Sequence, residues 1–264
     1  MKATKLLRVA RNVAALDRAA AFYTDALGFE AAGPVLDDAP LARLLRVERV
    51  WVLRLRLGAQ EVELSQCFPA SAAYPAQTGA NALCFQHIAL LTTDIAAAYA
   101  RVKQAKVAEI SRHGPVRLPV SSGGVIAYKF RDPEGHPLEF LQFPEGAGKP
   151  AAGYDHSAIS VSDWQASMAF YSGIGLTLAA RQLNQGAAQD ALDGLDAAAV
   201  DVVALNPPQA APHVELLCYR KPAGKAVAYA PADVCADRLV FATGDGTLRL
   251  QRDPDGHVVL LDGR

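Results

Sequence analysis

Apolar residues in this chain follow two different periods. Short apolar runs such as FQHIALL from Phe85, PLEFLQF from Pro137, HSAIS from His156 and HVELLCY from His213 have the length and composition of strands. GAQEVELSQ, from Gly58, alternates cleanly, as a half-buried strand does. Between such runs the spacing lengthens. Ile95, Tyr99 and Val102 mark one apolar helical face among alanine-rich neighbours, and helices are predicted at about 16–27, 94–106 and 163–173.

The order of these elements repeats. Val13 to Tyr23 lies over Val161 to Tyr171. Each is a strand end, a polar helix start and an amphipathic helix carrying Phe22-Tyr23 or Phe170-Tyr171. Both run into a glycine turn, Leu27-Gly28-Phe29 or Ile174-Gly175-Leu176. Further on, Val50 to Leu55 matches Val200 to Leu205, and Val62-Glu63-Leu64 matches Val214-Glu215-Leu216. A second pair sets His87-Ile88-Ala89-Leu90 over Arg238-Leu239-Val240-Phe241, and Asp132-Pro133-Glu134-Gly135-His136 over Asp253-Pro254-Asp255-Gly256-His257. The Asp-Pro-acidic-Gly tetrapeptide is a turn by mechanism, since Pro presets one φ and Gly permits a positive one. Apolar flanks make it a hairpin.

Four modules result, roughly 1–68, 80–145, 152–220 and 233–264, of which the first three give a strand, a helix and further strands. The fourth is shorter: only six residues separate Phe241 from Leu248, too few for the helix. The expected class is α+β, with four βαβββ modules, the last truncated. Polar, turn-rich connectors separate them, and Pro144 to Gly153 marks a boundary between halves 1–145 and 152–264.

Composition narrows the partners. With 51% hydrophobic residues the chain can supply a core, which excludes disorder. A net charge of −1 with mixed signs offers no concentrated positive field for nucleic acid or an anionic membrane, so a small-molecule partner is expected. No stretch approaches ~18 uncharged apolar residues and no secretory leader is evident. The four cysteines lack any CxxC spacing. Reduced thiols in a cytoplasmic protein, monomer or homodimer, are the expectation.

The helix followed by FYTDALGF and VEL, then HIAL and DPEGHPLEF, resembles the vicinal oxygen chelate superfamily over nearly the whole chain. That group includes glyoxalase I, extradiol dioxygenases, methylmalonyl-CoA epimerase, and fosfomycin and bleomycin resistance proteins. The resemblance implies that modules pair, their curved sheets forming two cups, each able to surround one divalent metal ion. It also implies a ligand near the start of each first strand and a Glu on each last strand. The first-strand positions are Arg8, His87, His156 and Arg238; the last-strand positions are Glu63, Glu139, Glu215 and Leu260. Arginine offers no lone pair, so Arg8 and Arg238 are excluded as ligands. If modules pair in sequence, one cup holds Glu63, His87 and Glu139. If the two middle modules pair, one cup collects His87, Glu139, His156 and Glu215, the set that glyoxalase I resembles. The second arrangement is favoured because it completes the set, although sequential pairing is the commoner one in the superfamily.

Plainer readings stand beside these. A lone His87 would be a core histidine satisfied by a carbonyl; its recurrence as His156 argues otherwise. Glu139 and Glu215 face solvent if strand alternation points them outward, and Glu63 is equally a salt-bridge partner for Arg8. His136 and His257 follow hairpin turns and read as structural, and the Phe-Tyr pairs as core. His113 and His213 sit in apparent loops without a role. Two imidazoles and two carboxylates suit nickel, cobalt, zinc, iron or manganese. The activity implied is a glyoxalase-type lyase or isomerase acting through an enediolate on a small oxygenated substrate, with Glu139 or Glu215 as the base. The alternatives are a non-haem iron dioxygenase and a metal-free ligand-binding or resistance protein. No set of basic residues supports glutathione dependence.

Overall fold

The first module runs β1 (Lys5–Asn12), α1 (Leu16–Asp25), the short β2 (Glu30–Ala31) and β3 (Leu36–Asp37), α2 (Ala39–Leu45), β4 (Arg49–Leu57) and β5 (Gln60–Phe68). The second runs β6 (Gln86–Leu91), α3 (Ile95–Gln104), β7 (Ala108–Glu109), β8 (Val116–Arg117), β9 (Ile126–Arg131) and β10 (Pro137–Gln142). The third runs β11 (Tyr154–Ser160), α4 (Trp164–Gly173), β12 (Thr177–Gln185), α5 (Ala187–Asp193), β13 (Ala199–Asn206) and β14 (His213–Lys221). The fourth keeps only β15 (Arg238–Ala242), β16 (Leu248–Arg252) and β17 (Val258–Asp262). This computed structural model describes residues 2–76, 78–209 and 212–264.

The three predicted helices stand within two residues of their expected ends. Asp94 and Asp163 cap α3 and α4, their carboxylates accepting backbone N–H groups of the first turn. The seven-residue helices α2 and α5 have no counterpart among the elements expected from the apolar pattern. His213, expected in a loop, opens β14 instead.

Each sheet draws on both halves of the chain. One takes the outer modules, in the order β16-β17-β15-β1-β5-β4-β2, with β3 also on β4. The other takes the middle modules, in the order β12-β13-β14-β11-β6-β10-β9-β7, with β8 also on β9. First strands meet antiparallel at each seam, β1 with β15 and β6 with β11. The sequential cup of Glu63, His87 and Glu139 is therefore not formed, because Glu63 lies in a different sheet from the other two.

Strand alternation assigns the two faces. In β6, Ile88 and Leu90 join the main core with Leu138, Phe140 and Ile159, against helices α1, α3 and α4. His87 and Ala89, alternating with them, point to the other side. Tyr23 and Tyr171 are buried in that core, as the paired aromatics suggested, while Phe170 packs at its edge.

Candidate metal centre

Residues paired side by side across strands project to one face. In the middle sheet one such row reads Lys129, Glu139, Ala89, His156, His213 across β9, β10, β6, β11 and β14. The next reads His87, Ala158, Glu215, Ala204 across β6, β11, β14 and β13. Ala89 and Ala158, small and wholly buried, occupy the row centres and leave room for the longer side chains to converge.

They do converge. His87 Nε2 is 2.9 Å from Glu139 Oε2. His156 Nε2 is 3.8 Å from the same oxygen and 3.5 Å from Glu215 Oε2. One donor atom each of His87, Glu139 and His156 lie within 4.8 Å of one another, and Glu215 joins through His156. The four line a cavity of about 270 Å³, together with Ser122, Gln182, Asn184, Gln189 and several leucines.

His87 tests whether a cation belongs here. The ring is buried, yet neither nitrogen has a hydrogen-bond partner among the described residues. Glu139 Oε2 is close to Nε2 but lies off the direction of a hydrogen bond. An unpaired buried polar group costs ~1–3 kcal/mol. A nitrogen lone pair and a carboxylate oxygen facing one point is the donor chemistry of a divalent transition ion. Charge agrees. Glu139, Asp155 and Glu215 line the cavity with Lys129 and Lys149, and Asp193 stands 2.7 Å behind Lys129. Four carboxylates against two ammonium groups leave a deficit of two positive charges, which one divalent ion beside neutral imidazoles supplies. The residues fit the group.

The two histidines differ in what stands behind them. His156 Nδ1–H donates to Asp155 Oδ2 at 3.1 Å, which turns Nε2 toward the cavity. Burial opposes charge on His156, but Glu215 first, then Asp155 and Glu139, raise its pKa to about 9. His87 has no such support, and burial pushes it below its ordinary value despite Glu139. Burial also works against ionised Glu139, but Lys129, ahead of His87 and His156, holds its carboxyl down at about 2. Glu215 is lowered too, its burial outweighed by His156 and by His213, whose Nε2 is 3.3 Å from Oε1.

Sequence reasoning missed Lys129, Asp155, Asp193 and His213. A signal existed for Lys129: it is the charged residue inside IAYKF, an otherwise apolar strand opposite the one that carries Glu139. Asp193 had none, because it comes from an unpredicted helix. His136 and His257 are structural, Nε2 of each meeting a backbone carbonyl of a first strand, Asn12 O at 2.9 Å and Ser160 O at 2.8 Å.

The outer sheet repeats the frame with other contents. Its rows read Arg54, Glu63, Ala10, Arg238 and Arg8, Val240, Leu260, Leu250. Arg8 Nε donates to Glu63 Oε2 at 2.8 Å and Arg8 Nη2 to Asp262 Oδ2 at 3.2 Å, while Arg54 Nε is 3.5 Å from Glu63. Val240 and Leu260 fill the remaining space as part of an apolar cluster. Guanidinium groups stand where the middle sheet has imidazoles, Leu260 replaces one carboxylate, and Glu63, the other, is paired with arginine.

The family model described as the Glyoxalase/Bleomycin resistance protein/Dioxygenase superfamily matches residues 5–140. Glyoxalase I from Zea mays is similar in structure, with a TM-score of 0.61 and 18% identity over 97% of this chain and 91% of that one. A point mutant of that maize enzyme gives 0.62 and 17%, over 97% and 92%. A putative dioxygenase from Bacillus subtilis gives 0.58 and 12%, over 98% and 85%. At these identities the likeness is one of fold. No curated protein matches the sequence. Among the described residues no helix is long and apolar enough to cross a membrane.

Proposed function

The chain belongs to the Glyoxalase/Bleomycin resistance protein/Dioxygenase superfamily, and from that premise we propose a metal-dependent lyase or isomerase of glyoxalase type, acting through an enediolate on a small oxygenated molecule. His87, Glu139, His156 and Glu215 hold one divalent ion, and nickel, cobalt, zinc, iron and manganese all suit that donor set. The observation that carries the reading is the buried His87 ring, without a hydrogen bond, facing a carboxylate that the rest of the cavity keeps ionised.

When bound, the ion supplies Lewis-acid polarisation of two neighbouring substrate oxygens. The remaining work falls to side chains. Asp155 fixes the tautomer and tilt of His156. Glu139, buried and held at about 2 by Lys129, is a weak base and stays a ligand. Glu215 is the better proton acceptor, since it is more open to the cavity mouth and no ammonium or guanidinium pairs with it among the described residues. Leu118, Leu141, Leu192 and Leu217 line the space and exclude water from the reacting carbon. A half-open cavity of this size suits a small-molecule partner, and the reading is that of a cytoplasmic protein, monomer or homodimer.

Elemental analysis of the wild type beside His156→Ala and Glu63→Gln tests the reading. The wild type and Glu63→Gln are expected to hold one ion per chain, and His156→Ala to lose it at least tenfold. Metal retained by His156→Ala and lost from Glu63→Gln sinks the assignment. A metal-free wild type favours the ligand-binding alternative. One observation supports a second enzyme reading: the tightest subset, His87, Glu139 and His156, is two histidines and one carboxylate, the ligand set of non-haem iron oxygenases. Oxygen uptake during turnover separates that reading from non-oxidative isomerisation.

A further inference from the structure

Lys129 stands out in the cavity wall because its ammonium is buried, whereas Lys149 sits at the solvent edge on Asp155. Burying an ammonium is unfavourable unless it is paired. Here three groups are committed to the task. Asp193 Oδ1 is 2.7 Å from Nζ, while Tyr219 Oη and Gln189 Nε2 donate to Asp193 Oδ2 at 2.9 and 2.6 Å. Those partners come from α5 and β14 of the third module, across the seam from the strand that carries the lysine.

The module frame does not require a cation at this place. The equivalent positions opposite Glu215 and Leu260 hold Ala204 and Leu250, and only the one opposite Glu63 holds another cation, Arg54. Nor does Lys129 neutralise Glu139 in the manner of Arg8 and Arg54 on Glu63, for no contact within 4.0 Å joins the two. Asp193 draws the ammonium aside and leaves Glu139 free for another partner. An ammonium has three N–H donors. Asp193 takes one, and among the described residues no other acceptor takes the rest.

We propose that Lys129 is a catalytic residue that donates to a substrate oxygen and stabilises the negative charge created there on proton removal. This rests on the reading of the cavity as an enediolate-forming site. The substrate is then a carbonyl compound with a hydroxyl-bearing C–H beside the carbonyl. The C–H bond breaks and its proton passes to a glutamate carboxylate. The C–H electron pair forms the new C=C bond, and the carbonyl pair moves onto the oxygen that Lys129 contacts. The lysine keeps its proton throughout, so its contribution is preorganised charge rather than proton transfer.

The test uses the cobalt-loaded protein and two probes followed by the visible absorption of the ion. Acetohydroxamate is a planar chelator with vicinal oxygens and resembles an enediolate; imidazole binds a metal through nitrogen and offers no oxygen. The variant is Lys129→Met with Asp193→Asn, which removes the ammonium without stranding its carboxylate, and Lys129→Gln with Asp193→Asn serves if circular dichroism shows the first unfolded. Acetohydroxamate is expected to bind the variant on the order of ten- to a hundredfold more weakly, the scale of one hydrogen bond to a charged group, with imidazole affinity unchanged. Equal acetohydroxamate affinity overturns the role of Lys129 and leaves the metal site standing. Equal losses for both probes also overturn it, since the lysine then merely supports the ligands. A wild type that takes up no cobalt overturns the site reading and this one together.

Discussion

Carboxylates stand at both ring nitrogens of His156, and that arrangement makes proton and ion competitors. In protein stripped by a chelator the imidazole has a pKa of about 9, against 6.5 in the unfolded chain. A raised value stabilises the fold fully below pH 6.5, and the gain fades as pH climbs to and through about 9. The loss is on the order of 3 kcal/mol for a shift of this size. Urea melts of chelated wild type should fall across that window, and those of His156→Gln should stay flatter; matching slopes would count against the assignment. Ion uptake needs the lone pair that the proton occupies, so apparent affinity should rise with pH over the same window. At this scale the sequence was informative where residue types recur. His87 with His156, and Glu139 with Glu215, were identified by their matching places in two modules. Lys129 and Asp155 match Arg54 and Asp237 in the outer modules, where neither lies beside a histidine-glutamate pair, so their roles depend on which strands come together.

A short element carries part of the cavity. α5 supplies Gln189 and Asp193, and its end is docked by the strip Ile110 to Arg112, with Arg112 N donating to Ala191 O at 2.7 Å. Gly194 closes this helix at a φ of +64°, where an added Cβ would stand 2.4 Å from Ile110 O. Gly194→Ala should therefore cost ~1–3 kcal/mol in a urea melt and weaken acetohydroxamate binding by moving Asp193. A stability loss with unchanged binding would separate the helix from the site. Asp163→Ala, at the cap of α4 on the far side of the sheet, should cost about 1 kcal/mol and leave metal content alone. The long helices were legible because three turns repeat an apolar face often enough to be seen. Seven residues do not, which is why α2 and α5 escaped notice, the latter with part of the cavity lining.

Module pairing is a property of the whole molecule. The residues hinted at it, since only the second and third modules keep both a histidine and a glutamate. Which strand edges meet was not written in any one segment. The seam explains what half the chain would do alone. Residues 1–145 would leave both β1 and β6 unpaired on one edge, and all six residues of β6 are buried in the whole chain. Two copies joined antiparallel through β6 would bring together two copies of His87 and two of Glu139. This half is expected to form a dimer by light scattering and to hold one ion per pair of chains; a metal-free monomer would contradict it. The same reasoning gives the shortened fourth module a reason to persist. It has no helix and no ligand, yet β15 satisfies the backbone of β1, whose other side is already taken by β5. Chemically silent, this remnant is a lid on a sticky edge, and trimming it further would trade an idle pocket for a surface that recruits other chains.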